Sequence, residues 1–285
     1  MLTVTPLCGW RRACLGVTLG LLSVLTGACA ASPASDPAKV ELLRQIREAY
    51  LFNVDVSGLE LLSVPEIVAR LDPDTRLVEM RRMSLNFIRG FEPEGSVADV
   101  QALGDGRGAL QLTFLGRRTR ADLEKALDEF NPPLCALTID LRNNAGGSFE
   151  QGLRLAERFL PAGVPLAVYE GREGRALLYA TGSAEPRGER LTLVINGQTA
   201  SSAELFAGIL HWHGRAELVG SPTAGKRTVQ RVTRLDQQHL LFLTSGRFLA
   251  PDGTPFGGNG LIPDRPFEGD DVGGLMAPCA KTPAP

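Results

Sequence analysis

Ser201 lies in Asn196-Gly197-Gln198-Thr199-Ala200-Ser201-Ser202-Ala203-Glu204, between the apolar run Leu191–Ile195 and a helical stretch from Ser202 to about His211. A serine at the mouth of a helix meets free N–H groups and the positive end of the dipole, which stabilise negative charge. The same position suits a plain N-cap, so the placement alone does not decide between the two. A free hydroxyl is a poor nucleophile and needs a base. Histidine is scarce: only His211, His213 and His239 are present, with no G-x-S-x-G and no H-E-x-x-H. His211 and His213 are two apart and face different sides of a helix, which argues against a joint metal site. The candidate base is Lys226, in Ser221-Pro222-Thr223-Ala224-Gly225-Lys226. A lysine serves as base only where burial or neighbours bring its pKa down from about 10.4 towards neutrality. Gln230, four residues on, stays on the same face of an extended segment and can hold an amine without adding charge.

A second exit, Leu141-Arg142-Asn143-Asn144-Ala145-Gly146-Gly147, follows the nearly continuous apolar run 134–141. Paired glycines between a strand and a helix expose backbone N–H groups in an anion-binding geometry, usable as an oxyanion hole. Taken alone, the stretch reads equally as a tight turn. Gly104, Gly106 and Gly108 lack a third, spaced glycine opening a helix, so they read as a hairpin and not a dinucleotide site. No glycine-rich loop ends in Gly-Lys-Ser/Thr. Neither a cofactor nor a metal is expected.

These exits need buried strands to hold them. Alternating strand and helix patterns from 109 to 220 predict an α/β core. Strands are expected at 110–114, 134–141, 165–169, 176–180, 191–195, 217–220, 228–235 and 239–244, and helices at 148–160 and 202–211. Thr119 and Asp122 resemble a capping box opening a further helix. Upstream, Asp36-Pro37 starts a helix with a cap and a proline at its first position. A short helix after Pro65 completes a small, mainly helical segment over 37–90. Hydrophobic residues make up 44% and charged residues 22%, which suits a globular core and excludes a disordered chain. Without Arg11 and Arg12, 28 basic residues face 32 acidic ones, a net of −4 that gives nucleic acid no basic footprint.

Residues 1–29 read as an export signal: Trp10-Arg11-Arg12, an apolar stretch Ala13–Leu25, then Gly27-Ala28-Cys29-Ala30-Ala31. Two cleavage readings stand. Ala28-Cys29-Ala30 fits an A-x-A site, and Thr26-Gly27-Ala28-Cys29 resembles a lipobox that would make Cys29 a lipidated N-terminus and attach the chain to a membrane. Residues 30–36 form a linker. Cys135 reads as a buried small hydrophobe and Cys279 lies in a Pro/Ala-rich tail, so no disulfide framework is indicated. Residues 268–285 read as a disordered tail.

The ordered motifs carry a family resemblance. Asp140-Leu141-Arg142-Asn143-Asn144-Ala145-Gly146-Gly147 resembles the D-L-R-N-N-x-G-G signature of the S41 serine peptidases, the C-terminal processing or tail-specific proteases. The Ser201 segment resembles their nucleophile loop, and Gly225–Gln230 their lysine segment, with Lys226 placed 25 positions after Ser201. Leu71-Asp72-Pro73-Asp74-Thr75 resembles an upstream L-D-P-x-S/T element, while Ala250–Gly253 and Gly260–Asp264 resemble the closing segment. The resemblance implies a crotonase/ClpP-like spiral core over 91–267. It also implies that Ser201 is the nucleophile, Lys226 the general base and Gln230 the residue orienting it. The oxyanion hole would come from the Gly146-Gly147 turn and Ser202. Two departures stand out: Thr75 to Leu110 leaves too little room for a PDZ domain, and Gln198 replaces a common glycine. The function implied is a serine endopeptidase hydrolysing peptide bonds in exported proteins, near C-termini or elsewhere, in the periplasm or cell envelope. A non-catalytic envelope binding protein on the same fold is the main alternative, and a crotonase-like acyl-thioester enzyme is another.

Overall fold

In the computed structural model the described residues are 36–82, 96–131, 133–182, 185–257, 259–277 and 279. The export-signal and Cys29 lipidation readings, and the linker before Asp36, lie outside them. Helix α1 (Pro37–Ala49) begins as its sequence predicts: the Asp36 side chain accepts from the Ala38 N–H and Pro37 occupies the first turn. A short helix α2 (Val64–Val68) follows. The segment is less helical than expected, because Arg76–Glu79 is a strand, β1.

The remaining elements alternate as the pattern requires. Strands β2 (Val97–Gly104) and β3 (Arg107–Leu112) form the glycine-rich hairpin, and α3 (Thr119–Asp128) leads to β4 (Ala136–Asp140). Helix α4 (Phe149–Ala156) leads to the hairpin β5 (Pro165–Gly171) and β6 (Gly174–Tyr179). Then come β7 (Arg190–Ile195), α5 (Ser202–Trp212), β8 (Ala216–Gly220), β9 (Thr228–Arg234), β10 (His239–Leu249) and β11 (Arg265–Pro266). The expected box at the start of α3 does not form. Thr119 Oγ1 instead accepts from Gly116 N–H and donates to the Phe114 carbonyl, fixing the preceding turn.

One sheet runs β11-β8-β7-β4-β3-β2, parallel from β11 to β3 with β2 antiparallel at its edge. Its central strands β4 and β7 are buried on both faces along nearly their whole length, as expected where helices cover a parallel sheet. The second sheet is antiparallel and built on β10, which pairs with β9 on one side and with β1 and β5 in succession on the other. The main core joins Leu110, Leu137, Ile139, Leu193 and Leu218 of the parallel sheet to Leu155, Phe159 and Phe206. Helix α5 is buried from Ser202 to Leu210, so it is apolar nearly all round. A smaller core gathers Leu42, Ile46 and Ile67 of the helical segment onto Leu241 and Leu243 of β10. That segment completes its core only against the antiparallel sheet.

The tail differs from expectation. Its described residues are held where disorder was predicted: Arg107 Nη1, Arg190 Nη2 and Arg265 Nη2 donate to the carbonyls of Met276, Ala277 and Leu275. A disulfide joins Cys279 to Cys135, across 144 residues. Cys135 is therefore a covalent anchor, half-buried, and not the buried hydrophobe its apolar neighbours suggested. Gly/Pro-rich composition hides this order because the restraints are non-local. These contacts fall where β3, β4 and β7 begin, at the sheet edge opposite the two strand exits. Opening the bridge by reductant or by Cys135→Ser is expected to cost about 2–4 kcal/mol of stability. Unfolding curves with and without reductant check this; superimposable curves would contradict it.

Candidate active site

The carboxyl ends of adjacent parallel strands are where α/β sheets place their ligands. Strands β4 and β7 are such neighbours, paired from Ala136↔Arg190 to Asp140↔Val194, and both predicted exits leave from their ends. The exits are stitched together. Asn196 Nδ2 donates to Asn143 Oδ1 at 2.9 Å, and Asn143 N–H returns a bond to Asn196 Oδ1 at 3.1 Å. Thr199 Oγ1 donates to the Leu141 carbonyl, and Ala200 N–H to the Asn144 carbonyl. Asn144 is fully buried: its Nδ2 donates to Leu112 O at 2.8 Å, and its Oδ1 accepts the Gly146 N–H at 2.8 Å. At Gly146, with φ of +91°, a Cβ would stand 2.7 Å from the Ala200 carbonyl oxygen. Glycine is what lets the two loops approach.

Ser201 itself has φ 57° and ψ −124°, a rare conformation for a residue with a side chain. Such strain costs on the order of 1–3 kcal/mol and persists only where the surroundings over-determine it. The surroundings here centre on Glu204, one turn into α5 and 3% exposed. Glu204 Oε2 accepts the backbone N–H of Ser201 at 2.9 Å and of Lys226 at 2.8 Å. Its Oε1 accepts Thr223 Oγ1 at 2.5 Å and Gly225 N–H at 2.7 Å. One carboxylate thus fixes the serine loop and the lysine loop to each other. The serine–glutamate spacing of a capping box marks this residue in the sequence, but nothing local signals its bonds to the 223–226 loop.

Ser201, Ser202, Lys226, Gln230, Gly146 and Gly147 line one pocket of about 270 Å³. Phe114, Phe149, Phe248 and Val229 add an apolar wall, and Arg76 stands at the same pocket with its guanidinium 4.4 Å from the centre of the Phe242 ring. Gly146 N–H is taken up by Asn144, whereas the Gly147 and Ser202 N–H groups, at the same pocket, carry no such bond among the described residues. No hydrogen bond joins Lys226 Nζ to Ser201 Oγ; the amine faces Asp74 Oδ1 at 3.4 Å. Gln230 does not reach the amine either. Its Nε2 donates to Thr228 Oγ1 at 2.8 Å, and Thr228 Oγ1 donates to Asp74 Oδ2. Asp74 is a residue that local sequence reasoning passes over, since only the tertiary fold brings it to Lys226. Its turn is anchored by Asp72, which accepts from Asp74 N–H, Thr75 Oγ1 and Thr244 Oγ1, and whose N–H donates to Tyr50 Oη at 2.8 Å. Burial pushes the Tyr50 hydroxyl up to about 12, so it remains neutral beside that turn. The histidines are engaged elsewhere: His211 with Asp264, His213 with the Pro165 carbonyl and His239 with Asp236.

Comparison with known proteins gives the family. Residues 106–267 match peptidase family S41, and the chain belongs to that family. It is 31% identical over 211 residues to carboxyl-terminal-processing peptidase 2, chloroplastic, of Arabidopsis thaliana, covering 72% of this chain and 40% of that protein. The chain thus spans about two fifths of that relative's length. Among solved structures, a photosystem II D1 C-terminal processing protease superposes with a TM-score of 0.52 at 25% identity, over 62% of this chain and 49% of that one. A lipoprotein from Streptococcus agalactiae has a TM-score of 0.66 at 15% identity, over 83% and 93% of the two chains, and is alike in fold.

Replacing Glu204 by alanine would orphan four donors at once. The variant is expected to lose about 2–4 kcal/mol of stability and most activity. Glu204→Gln, which turns an N–H₂ group towards two of those donors, should fail as well. Unfolding midpoints and peptide hydrolysis check both; a fully active, equally stable Glu204→Ala would refute the assignment.

Proposed function

We propose that this chain is a serine endopeptidase with a Ser/Lys mechanism, acting on polypeptides in an exported compartment. The observation that carries the reading is the single pocket holding a strained serine at a helix N-terminus, a lysine amine and two unpaired backbone N–H groups. Ser201 Oγ attacks the scissile carbonyl while Lys226 Nζ, uncharged, takes its proton. The Gly147 and Ser202 N–H groups hold the oxyanion as the carbonyl becomes tetrahedral. Collapse passes the proton from Lys226 to the leaving amine. A water deprotonated by the same amine then releases the acyl group from Ser201. Gln230, bonded to Thr228 Oγ1, is the neutral side chain that orients the amine once Lys226 turns towards Ser201. The aromatic wall of the pocket suits an apolar substrate side chain beside the cleaved bond.

Export is supported by the leader's pattern and by the disulfide, which persists in an oxidising compartment. Lipidation at Cys29 would hold the enzyme at a membrane surface. One observation favours the reading of a non-catalytic envelope binding protein on this fold: the lysine amine is paired with Asp74 and not with Ser201.

The assay that separates the two readings incubates purified protein with unfolded polypeptides. Ser201→Ala and Lys226→Ala are each expected to lose nearly all cleavage, and the double variant to lose little more than either. Wild-type rate should climb towards mildly alkaline pH as the amine gives up its proton. Full activity in Lys226→Ala, or a flat profile, would reject a lysine base.

A further inference from the structure

We propose that Asp74 is a latch on the catalytic lysine: it holds Lys226 as an ammonium turned away from Ser201, and so sets the pH at which the peptidase switches on. The proposal rests on the Ser/Lys reading above. Three observations carry it. Asp74 Oδ1 is 3.4 Å from Lys226 Nζ, while no hydrogen bond links that amine to Ser201. The carboxylate is not a free surface group, because Thr228 Oγ1 donates to its other oxygen and its own N–H is tied to Asp72 Oδ1 at 3.0 Å. The two residues also come from different parts of the fold, the turn before β1 and the loop after β8. The antiparallel sheet links them, through β1 paired to β10 and β10 paired to β9.

The chemistry gives the contact a sign. An opposite charge within about 4–6 Å favours the charged form of a group, and a charged amine cannot accept the proton of Ser201. A neutral glutamine can orient an amine without that penalty, and a carboxylate cannot. The other charged groups nearby are Glu204, Asp72, Arg76 and Arg227, and among the described residues Asp74 is the carboxylate that pairs with Nζ. Glu204 is committed to backbone N–H groups, Asp72 to the turn, Arg76 stacks on Phe242, and Arg227 belongs to the lysine's own strand approach. Asp74 is therefore the group whose removal changes the charge in contact with Nζ. Both side chains keep some exposure, 26% for Lys226 and 32% for Asp74, so solvent and salt reach the pair.

The test compares Asp74→Asn, Asp74→Glu, Ser201→Ala and wild type in full pH profiles of kcat/KM on one peptide substrate. Asparagine keeps an acceptor for Thr228 and removes the charge. Asp74→Asn is expected to move the acid limb down by about one pH unit. On the wild-type limb that is a gain of about tenfold, with the alkaline plateau within about twofold. Asp74→Glu, which keeps the charge, should keep the wild-type limb. Raising ionic strength with wild-type protein should move the limb the same way as Asp74→Asn, because salt screens an exposed pair; this arm needs no variant to fold. An unmoved or raised limb in Asp74→Asn together with a salt-insensitive wild type overturns the latch. So does loss of the plateau in Asp74→Asn with recovery in Asp74→Glu, which would make Asp74 a required support. Ser201→Ala reads the underlying mechanism separately: activity there defeats the Ser/Lys assignment whatever Asp74 does.

Discussion

A single buried carboxylate decides the geometry of the site. Glu204 accepts four donors, one from the serine loop and three from the lysine loop, and it does so from the first turn of a helix packed on nearly every face. A buried acceptor with four bonds is worth far more than its surface counterpart, because each donor it serves would otherwise be stranded away from water. The serine and lysine loops are distant in sequence and leave different strands. Ala224 N–H also donates to the Thr199 carbonyl, adding one backbone bond between them. Thr223, which donates to Glu204, also accepts from Leu261 N–H, so the closing segment near 260 is drawn into the same network.

Two strained residues adjoin this network. Ser201 and Asn143 both have positive φ without being glycine, and both sit on exits from the central pair of parallel strands. At Gly225 a Cβ would stand 2.2 Å from the Asn259 carbonyl oxygen, which no side chain allows. These conformations are tolerable because β4 and β7 are fully paired and buried beneath them. The sheet supplies the rigidity, and the loops spend it on placing a hydroxyl, an amine and two N–H groups around one pocket.

Much of this was legible in the sequence, and the failures are instructive. Apolar runs located β4 and β7, and helix periodicity located α4 and α5, because burial on a regular element leaves a regular pattern. The motifs around Ser201, Lys226 and Gly146-Gly147 were readable for the same reason, since each is a local solution to a strand exit. What escaped was non-local. The resemblance makes Gln230 the residue orienting Lys226, but Thr228, on the same face and two residues nearer, accepts from its amide. Asp74 lies in the L-D-P-x-S/T element, and only the antiparallel sheet brings that turn before β1 to the lysine. The tail looked disordered by composition, yet arginine donors and a disulfide hold it, and no composition records those partners.

The helical segment therefore belongs to the site and is not an independent unit beside it. Its apolar residues finish their core only on Leu241 and Leu243 of β10, and the same strand, past the bulge between Thr244 and Gly246, sends Phe248 into the pocket wall. Detaching the segment would expose that core, take Arg76 from the pocket and take Asp74 from Lys226 in one step. The tail's anchors sit at the opposite edge of the parallel sheet, where β3, β4 and β7 begin. Covalent stabilisation at one edge leaves the other free to hold strained loops and the Asp74–Lys226 charge pair. The fold thereby separates the groups that keep it folded from the groups gathered at the pocket.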